Sequence, residues 1–288
     1  MEGGLEVDIP ILFLQRNHQE HVKYSLQQAT VSNPSSRVIL LGTADCDTLC
    51  EGGVEHFLIS NYTESASPFE AIYQHKSTNP YIYTLFNFQR WFILKDFMKQ
   101  HKLSQCCVLD SDVLLYTSID SPRFHSFSME FSWTSFCSLD RLDSFCSYVM
   151  KQFQDPTLYS RTVYYAERLG HGLVSDMVLC DLFHLDHPNL PKCFGLFSDC
   201  FFDHNVNCPL PSYLFQVEQL DGKKKVYLQS NQLYCKKVGS GDFIRICSLH
   251  FQGLAKPYMK HFVSPGFSAV SSPSYFDYQT SRWIPCSL

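Results

Sequence analysis

The sequence contains no apolar run approaching the ~18 residues that would cross a bilayer, so no transmembrane anchor is expected. Its acidic start, Met1-Glu2-Gly3-Gly4-Leu5-Glu6-Val7-Asp8, lacks the apolar core of a signal peptide. Basic side chains number 23 against 28 acidic ones, a net charge of -5, so the chain has no basic excess for a general nucleic-acid partner. Internal repeats are also missing, and no clear second domain is apparent. Zinc-finger spacing is absent despite 13 cysteines: Cys46-x-x-x-Cys50 has no matching second pair, and Cys106 and Cys107 sit in an apolar strand entry. The odd cysteine count and the missing leader predict reduced thiols and a cytoplasmic location. Asn61-Tyr62-Thr63 fits a glycosylation sequon and, without a leader, is read as chance.

What the chain does have is 45% hydrophobic and 15% aromatic residues over 288 positions, enough for one large α/β domain with a substantial core. Residues 9–14 read as a first strand, with the loop Gln15-Arg16-Asn17-His18 at its carboxyl end. Open α/β sheets bind ligands at that edge, so Asn17 is a candidate for a base or ribose pocket. A helix over 18–29 follows, with Val22, Leu26 and Ala29 on one stripe, and then a buried strand over 38–41. That strand–helix–strand order implies parallel pairing and a Rossmann-like first half. Residues 57–59 read as a third strand, and 85–98 as a helix apolar around much of its circumference. Arg90 lies within that helix and needs a partner. It has two readings: an internal salt bridge to Asp96 or to the Asp110 site, or a contact to a bound substrate.

The most informative stretch is Cys106-Cys107-Val108-Leu109-Asp110-Ser111-Asp112-Val113-Leu114-Leu115-Tyr116. Apolar runs on both sides read as strands buried on both faces, so the carboxylates belong at an open strand end. Residues two apart on an extended chain point to opposite faces, but a turn at Ser111 makes both acids converge. The pair is either a polar turn or a site for Mg²⁺ or Mn²⁺, ions that suit a diphosphate. Far along the chain, the apolar strand Phe243-Ile244-Arg245-Ile246-Cys247 leads into His250-Phe251-Gln252-Gly253-Leu254-Ala255-Lys256-Pro257-Tyr258. Imidazole is a nitrogen ligand for Mn²⁺, Gly253 permits close backbone approach, and Lys256 offers a point charge for phosphate. Pro257 stiffens the loop.

These two motifs together resemble the GT-A-type nucleotide-sugar glycosyltransferases, in particular the family 8 group of glycogenin and bacterial lipopolysaccharide galactosyltransferases. The resemblance covers about residues 8–262. It implies a metal-dependent transfer of sugar from a nucleoside-diphosphate sugar, with a UDP-sugar expected, to a glycan, lipid-linked or protein acceptor. It also implies a GT-A mixed sheet flanked by helices in one domain over 1–262. The donor-binding half would span about 8–120 and the acceptor side about 121–262, with 263–288 a surface-draped extension. By the same resemblance, Asp110, Asp112 and His250 hold Mn²⁺ or Mg²⁺, and Lys256 contacts the diphosphate during catalysis. Asp110, Ser111, Asp112, Arg90, Asn17, Gly253 and Lys256 are then the donor-binding set.

Leu169-Gly170-His171-Gly172-Leu173-Val174-Ser175-Asp176 opens another helix, which Ser175 can cap. An aspartate in the first turn is favoured by the helix dipole alone. The family commonly carries Asp-Gln-Asp here, and Val174-Ser175-Asp176 keeps only its last member. Asp176 is therefore a cap, an inverting enzyme's general base, or an acceptor-holding residue in a retaining one. Elsewhere, 129–136 around Trp133 reads as an active-site wall, after an interruption at Asp120-Ser121-Pro122. A helix is expected over 138–153, capped by Ser138 and stopped by Asp155-Pro156. Irregular loops are expected over 186–212, and a hairpin over 215–228 turning at Asp221-Gly222. Lys223-Lys224-Lys225 reads as a solvated face, with a polyanion patch as the lesser alternative. A second class of protein also ends an apolar strand in Asp-x-Asp, the haloacid-dehalogenase-type phosphohydrolases. Their motif lies near the N-terminus and is followed by a threonine where this chain has Leu114. A non-catalytic sugar-nucleotide or glycan-binding protein of the same fold is the third reading.

Overall fold

The computed structural model describes residues 9–120, 124, 133–170, 172–190, 195–197, 199–210, 215–264, 267 and 272–287. The acidic start, Ser121-Pro122, the 129–132 part of the aromatic wall, and His171 lie outside the described residues. The first half alternates strand and helix: β1 (Ile11–Gln15), α1 (Val22–Ser32), β2 (Val38–Gly42), β3 (Glu55–Leu58), α2 (Ala66–Glu70) and α3 (Tyr81–Gln100). Then come β4 (Gln105–Leu109), β5 (Val113–Leu115), β6 (Thr134–Ser138), α4 (Leu139–Gln154), α5 (Pro156–Arg168) and α6 (Asp176–Asp186). Among the described residues β1 to β4 and β6 form a sheet ordered β3-β2-β1-β4-β6, parallel except for the antiparallel pairing of β4 with β6. The expected α/β architecture, a Rossmann-like mixed sheet flanked by helices, is the one observed.

Both faces of this sheet are covered, which is why its central strands β1, β2 and β4 are near-continuous apolar runs rather than alternating ones. Leu12, Ile39, Leu41 and Val108 pack with α3, α4 and α6 on one face. Ile11, Phe13, Leu40 and Leu109 pack with Val22, Leu26 and Ala29 of α1 on the other. Ser138 caps α4 by accepting from the Arg141 amide, as expected. Asp155 ends that helix and caps the next one, accepting from the amides of Thr157 and Leu158, with Pro156 in the first turn where its missing N–H costs nothing.

The second half departs further from expectation. It contains β7 (Leu196–Phe197), β8 (Cys200–Phe202), β9 (Gln219–Leu220), β10 (Lys223–Lys224), β11 (Val226–Gln229), β12 (Gln232–Lys236), β13 (Phe243–His250), β14 (Ser274–Asp277) and β15 (Arg282–Pro285). These build a second sheet ordered β15-β14-β11-β12-β13-β8-β7, to which β5 joins by pairing with β13. The Asp221-Gly222 turn forms as predicted, but only β9 and β10 flank it; β11 leaves for the larger sheet and turns to β12 through Ser230-Asn231. Residues 200–202, expected as loop, form β8 because Phe201 and Phe202 find apolar cover on both sides.

Three corrections follow from this sheet. The 263–288 tail is not merely draped: β14 and β15 extend the sheet, and Phe276 and Tyr278 are buried. Cys200 and Cys247 form a disulfide between β8 and β13, at a Cα–Cα distance of 6.0 Å, so the thiols are not all reduced. Lys224 is fully buried against Asp203, so the lysine run is not wholly solvated. The chain outside the helices and strands supplies no cue for any of the three, because each depends on which strand lies alongside. Among the described residues, no helix is long and apolar enough to cross a membrane.

If the tail is part of the core, Phe276→Ala should destabilise the protein by about 3–5 kcal/mol. Urea unfolding measures this directly. A loss within about 0.5 kcal/mol, the usual cost at a surface position, would restore the draped-tail picture.

Candidate functional site

The site begins at the end of β4. There the Val113 amide donates to the Asp110 carbonyl at 3.0 Å, closing a tight turn over Asp110-Ser111-Asp112. The turn at Ser111 makes both carboxylates converge, as the sequence predicted. Its outer side is held by α1, where the Ser25 hydroxyl donates to the Ser111 carbonyl at 2.8 Å.

β5 then pairs antiparallel with β13, placing His250 opposite Val113, and the Phe251 amide donates to the Asp112 carbonyl at 2.9 Å. His250 Nε2 lies 3.2 Å from Asp112 Oδ1, and Lys256 Nζ lies 3.2 Å from Asp112 Oδ2. One ligand atom each from Asp110, Asp112 and His250 falls within 4.8 Å of the others. Two carboxylate oxygens and an imidazole nitrogen suit a hard divalent ion. The Nδ1 of His250 lies 2.6 Å from the His204 carbonyl, which can only accept, so Nδ1 carries a proton and Nε2 is the nitrogen turned to the carboxylates. These residues fit Mn²⁺ or Mg²⁺.

Arg90 takes the predicted partner at Asp110 and a second, Asp176, which the sequence had not paired with it. Its NH1 donates to Asp110 Oδ1 at 2.6 Å, and its NH2 to Asp176 Oδ2 at 2.7 Å. Asp96 instead caps the turn at Ser65. Trp91 Nε1 also donates to Asp176 Oδ2, at 3.1 Å, and the Arg90 guanidinium lies over the Trp91 ring. Ser175 caps α6 as expected, accepting from the Val178 amide. Asp176 itself is only 3% exposed and lies behind Arg90 rather than at the cleft.

Above these groups lies a cleft of about 610 Å³, large enough for a nucleotide-sized ligand. Asp110, Ser111, Asp112, Arg90, His250, Gly253 and Lys256 line its floor, and Asn17, Arg16 and Phe86 line its β1 end. Asn17 adopts a left-handed φ of 64°, held by its amide donating to the Thr43 hydroxyl. Gly253 has a φ of 60°, and a Cβ there would meet nothing within 4 Å, so its backbone angle is what calls for glycine. Trp133 stacks near His250 at 6.3 Å between ring centres but is not among the residues lining the cleft.

Charge pairing sets the protonation of the floor. Burial works against the imidazolium of His250, but the hydrogen bond and charge of Asp112 raise it to about 9. Burial likewise works against the Asp112 carboxylate, yet His250 and Lys256 bring it down to about 2. Burial also pushes Asp110 above the usual carboxylate range, with Arg90 and His250 pulling the other way. His21, at the start of α1, went unnoticed in the sequence; burial and then the Lys256 charge bring it down to about 4.

No family model matches the chain, and no curated protein matches its sequence. Among solved structures it is similar to mouse xyloside xylosyltransferase 1 in its apo form, at 11% identity and a TM-score of 0.46, over 64% of this chain and 84% of that one. It is also similar to the PaToxG glycosyltransferase, at 9% and 0.40, over 63% and 70%. A third likeness is to an active-site mutant of LgtC, at 10% and 0.33, over 61% and 70%. Likeness at this distance assigns no activity. The functional reading rests on the residues of the cleft.

Two outcomes follow from the geometry. Asp176→Ala strands one arm of a buried guanidinium, so it should cost about 3 kcal/mol rather than the ~1 of a lost helix cap; thermal melts distinguish the two. In metal-free protein the His250–Asp112 pair stabilises the fold fully between the ordinary aspartate value of 3.8 and pH 6.5, and loses that effect as pH rises from 6.5 through about 9. Melting temperature should therefore fall over that interval in the wild type, and His250→Gln should remove that part of the pH dependence.

Proposed function

We propose that this chain is a divalent-metal-dependent glycosyltransferase of GT-A type, moving a sugar from a nucleoside-diphosphate sugar to a hydroxyl acceptor. The observation that carries this reading is the convergence of Asp110, Asp112 and His250, with Lys256 beside them, on the floor of one nucleotide-sized cleft. Asp110, Asp112 and His250 would hold Mn²⁺ or Mg²⁺. When bound, such an ion supplies positive charge beside the donor diphosphate and the departing nucleoside diphosphate. Lys256 adds a mobile ammonium at the same place, with a third of its side chain exposed. Gly253 keeps the loop open beside it.

Arg90 has a different task. Its pairing with two carboxylates fixes it in place, so it presents a rigid positive edge to the donor and keeps Asp110 aimed at the floor. Asp176 serves as the anchor of Arg90. A general base or an acceptor-holding carboxylate needs an open path to the acceptor, and Asp176 lies behind the guanidinium. Asn17, with Arg16 and Phe86, forms the end of the cleft suited to the base and ribose of a UDP-sugar. The acceptor is a glycan, a lipid-linked sugar or a protein hydroxyl. The phosphohydrolase alternative requires Asp110 as an unencumbered nucleophile, and the 2.6 Å hydrogen bond from Arg90 opposes that role.

A donor screen by nucleoside diphosphate release, with Mn²⁺ and with a chelator, tests the reading. Slow hydrolysis of one nucleotide sugar should appear with metal and vanish without it. Asp112→Ala should abolish metal-dependent nucleotide binding in calorimetry. An unchanged affinity in that variant would sink the assignment. Lys256→Ala should remain folded, with turnover reduced by about 10- to 1,000-fold, on the scale of one lost charge-stabilising donor.

A further inference from the structure

Away from the cleft, Asp203 and Lys224 form an ion pair with both side chains at 0% exposure and 2.8 Å between Nζ and Oδ1. Neither residue lines the cleft. Taking two charges out of water is costly, and well-packed apolar replacements for such pairs are often as stable. Packing alone therefore gives no reason for this pair. Its contacts do.

The pair ties the short segment after β8 to β13 on one side and to Lys224 of β10 on the other. Asp203 Oδ2 accepts from the His250 amide at 3.3 Å, and Lys224 Nζ donates to the Asn205 carbonyl at 2.5 Å. Between those two points stands His204, whose carbonyl accepts the Nδ1 proton of His250 at 2.6 Å. The same segment is stitched to β13 by the Asp203 amide on the Ser248 carbonyl and the Val206 amide on the His250 carbonyl. Lys224 is in turn held by its own amide on the Val206 carbonyl, and its carbonyl accepts from the Tyr278 hydroxyl. The position of one backbone oxygen, that of His204, decides which nitrogen of His250 carries the proton and where the other points. A carbonyl displaced by even half an ångström would let the ring turn and withdraw Nε2 from the carboxylates.

We infer that Asp203 and Lys224 are positioning residues, whose buried pair fixes the His204 carbonyl and so aims His250 Nε2 at the Asp110–Asp112 cluster. The inference rests on the reading of that cluster as a divalent-ion site. It goes beyond it by placing two residues from outside the cleft in control of one ligand. Asn205 extends the effect, since its side chain donates to Gln252 Oε1 at 2.6 Å and thereby also steadies a residue of the cleft wall.

The test is a comparison of Mn²⁺ affinity, in the presence of UDP, by electron paramagnetic resonance of the free ion. The proteins are the wild type, Asp203→Leu/Lys224→Met, His250→Ala and the triple variant combining all three substitutions. Thermal melts without metal accompany each one. The expected result is a Leu/Met variant that melts close to the wild type yet binds Mn²⁺ about 10- to 100-fold more weakly, the scale of a lost supporting contact. Because the pair acts through His250, the triple variant should bind no more weakly than His250→Ala alone. Wild-type affinity in the folded Leu/Met variant, or an additive loss in the triple variant, would overturn the inference. Should the Leu/Met variant fail to fold, Asp203→Asn keeps size and one acceptor oxygen and is held to the same comparison. A wild type that binds no Mn²⁺ with any nucleoside diphosphate would instead overturn the metal reading, and the inference with it.

Discussion

The pairing of β5 with β13 is the constraint on which the site depends. β5 leaves the Asp-Ser-Asp turn and β13 delivers the histidine, so one short antiparallel ladder joins two motifs from opposite ends of the chain. Its register places His250 against Val113, next to Asp112. A slip of one residue would turn the imidazole to the other face of the sheet, away from the Asp112 carboxylate. Both strands are buried along almost their whole length, and that apolar matching holds the register.

Around that ladder the charges are arranged in alternation. Asp176, Arg90 and Asp110 form one series, and Lys256, Asp112 and His250 the other. Burying an unpaired carboxylate is costly, and each of these is matched by a cation within about hydrogen-bonding distance. The protein thereby stores a preorganised set of dipoles and charges at the floor of a cleft. Such groups need little rearrangement when a doubly charged phosphate ligand arrives, and this is the usual source of strong electrostatic stabilisation.

The second sheet turns out to be the support for the histidine loop. Its strand β8 pairs with β13 and leads into the segment that orients His250, the Cys200–Cys247 disulfide joins those two strands, and Tyr278, just past β14, holds the Lys224 carbonyl. The first sheet supplies the acids and the second holds the imidazole. The cleft lies where the two meet.

Much of the first sheet was legible in the sequence. Unbroken apolar runs such as Val38-Ile39-Leu40-Leu41 and the β4 entry into Asp110 mark doubly covered strands, and Ser138, Asp155 and Ser175 announce helix ends through short-range hydrogen bonds. Asp110, Asp112, His250 and Lys256 were also legible as candidates, because few structural roles call for those residue types in that order. The partners were not. Nothing local to Asp203 or Lys224 reveals that one meets the other, and a lysine between two lysines reads as solvent-facing until a sheet closes over it. Cys200 and Cys247 look unrelated until a parallel pairing brings their strands together, and the tail looks superfluous until β14 finds β11. By itself, then, the sequence determined the elements with short-range signals and the chemistry of the cleft floor. Tertiary structure alone decided the contacts between distant strands, because a buried ion pair, a disulfide and a strand register depend on which surfaces meet, and no local pattern encodes that.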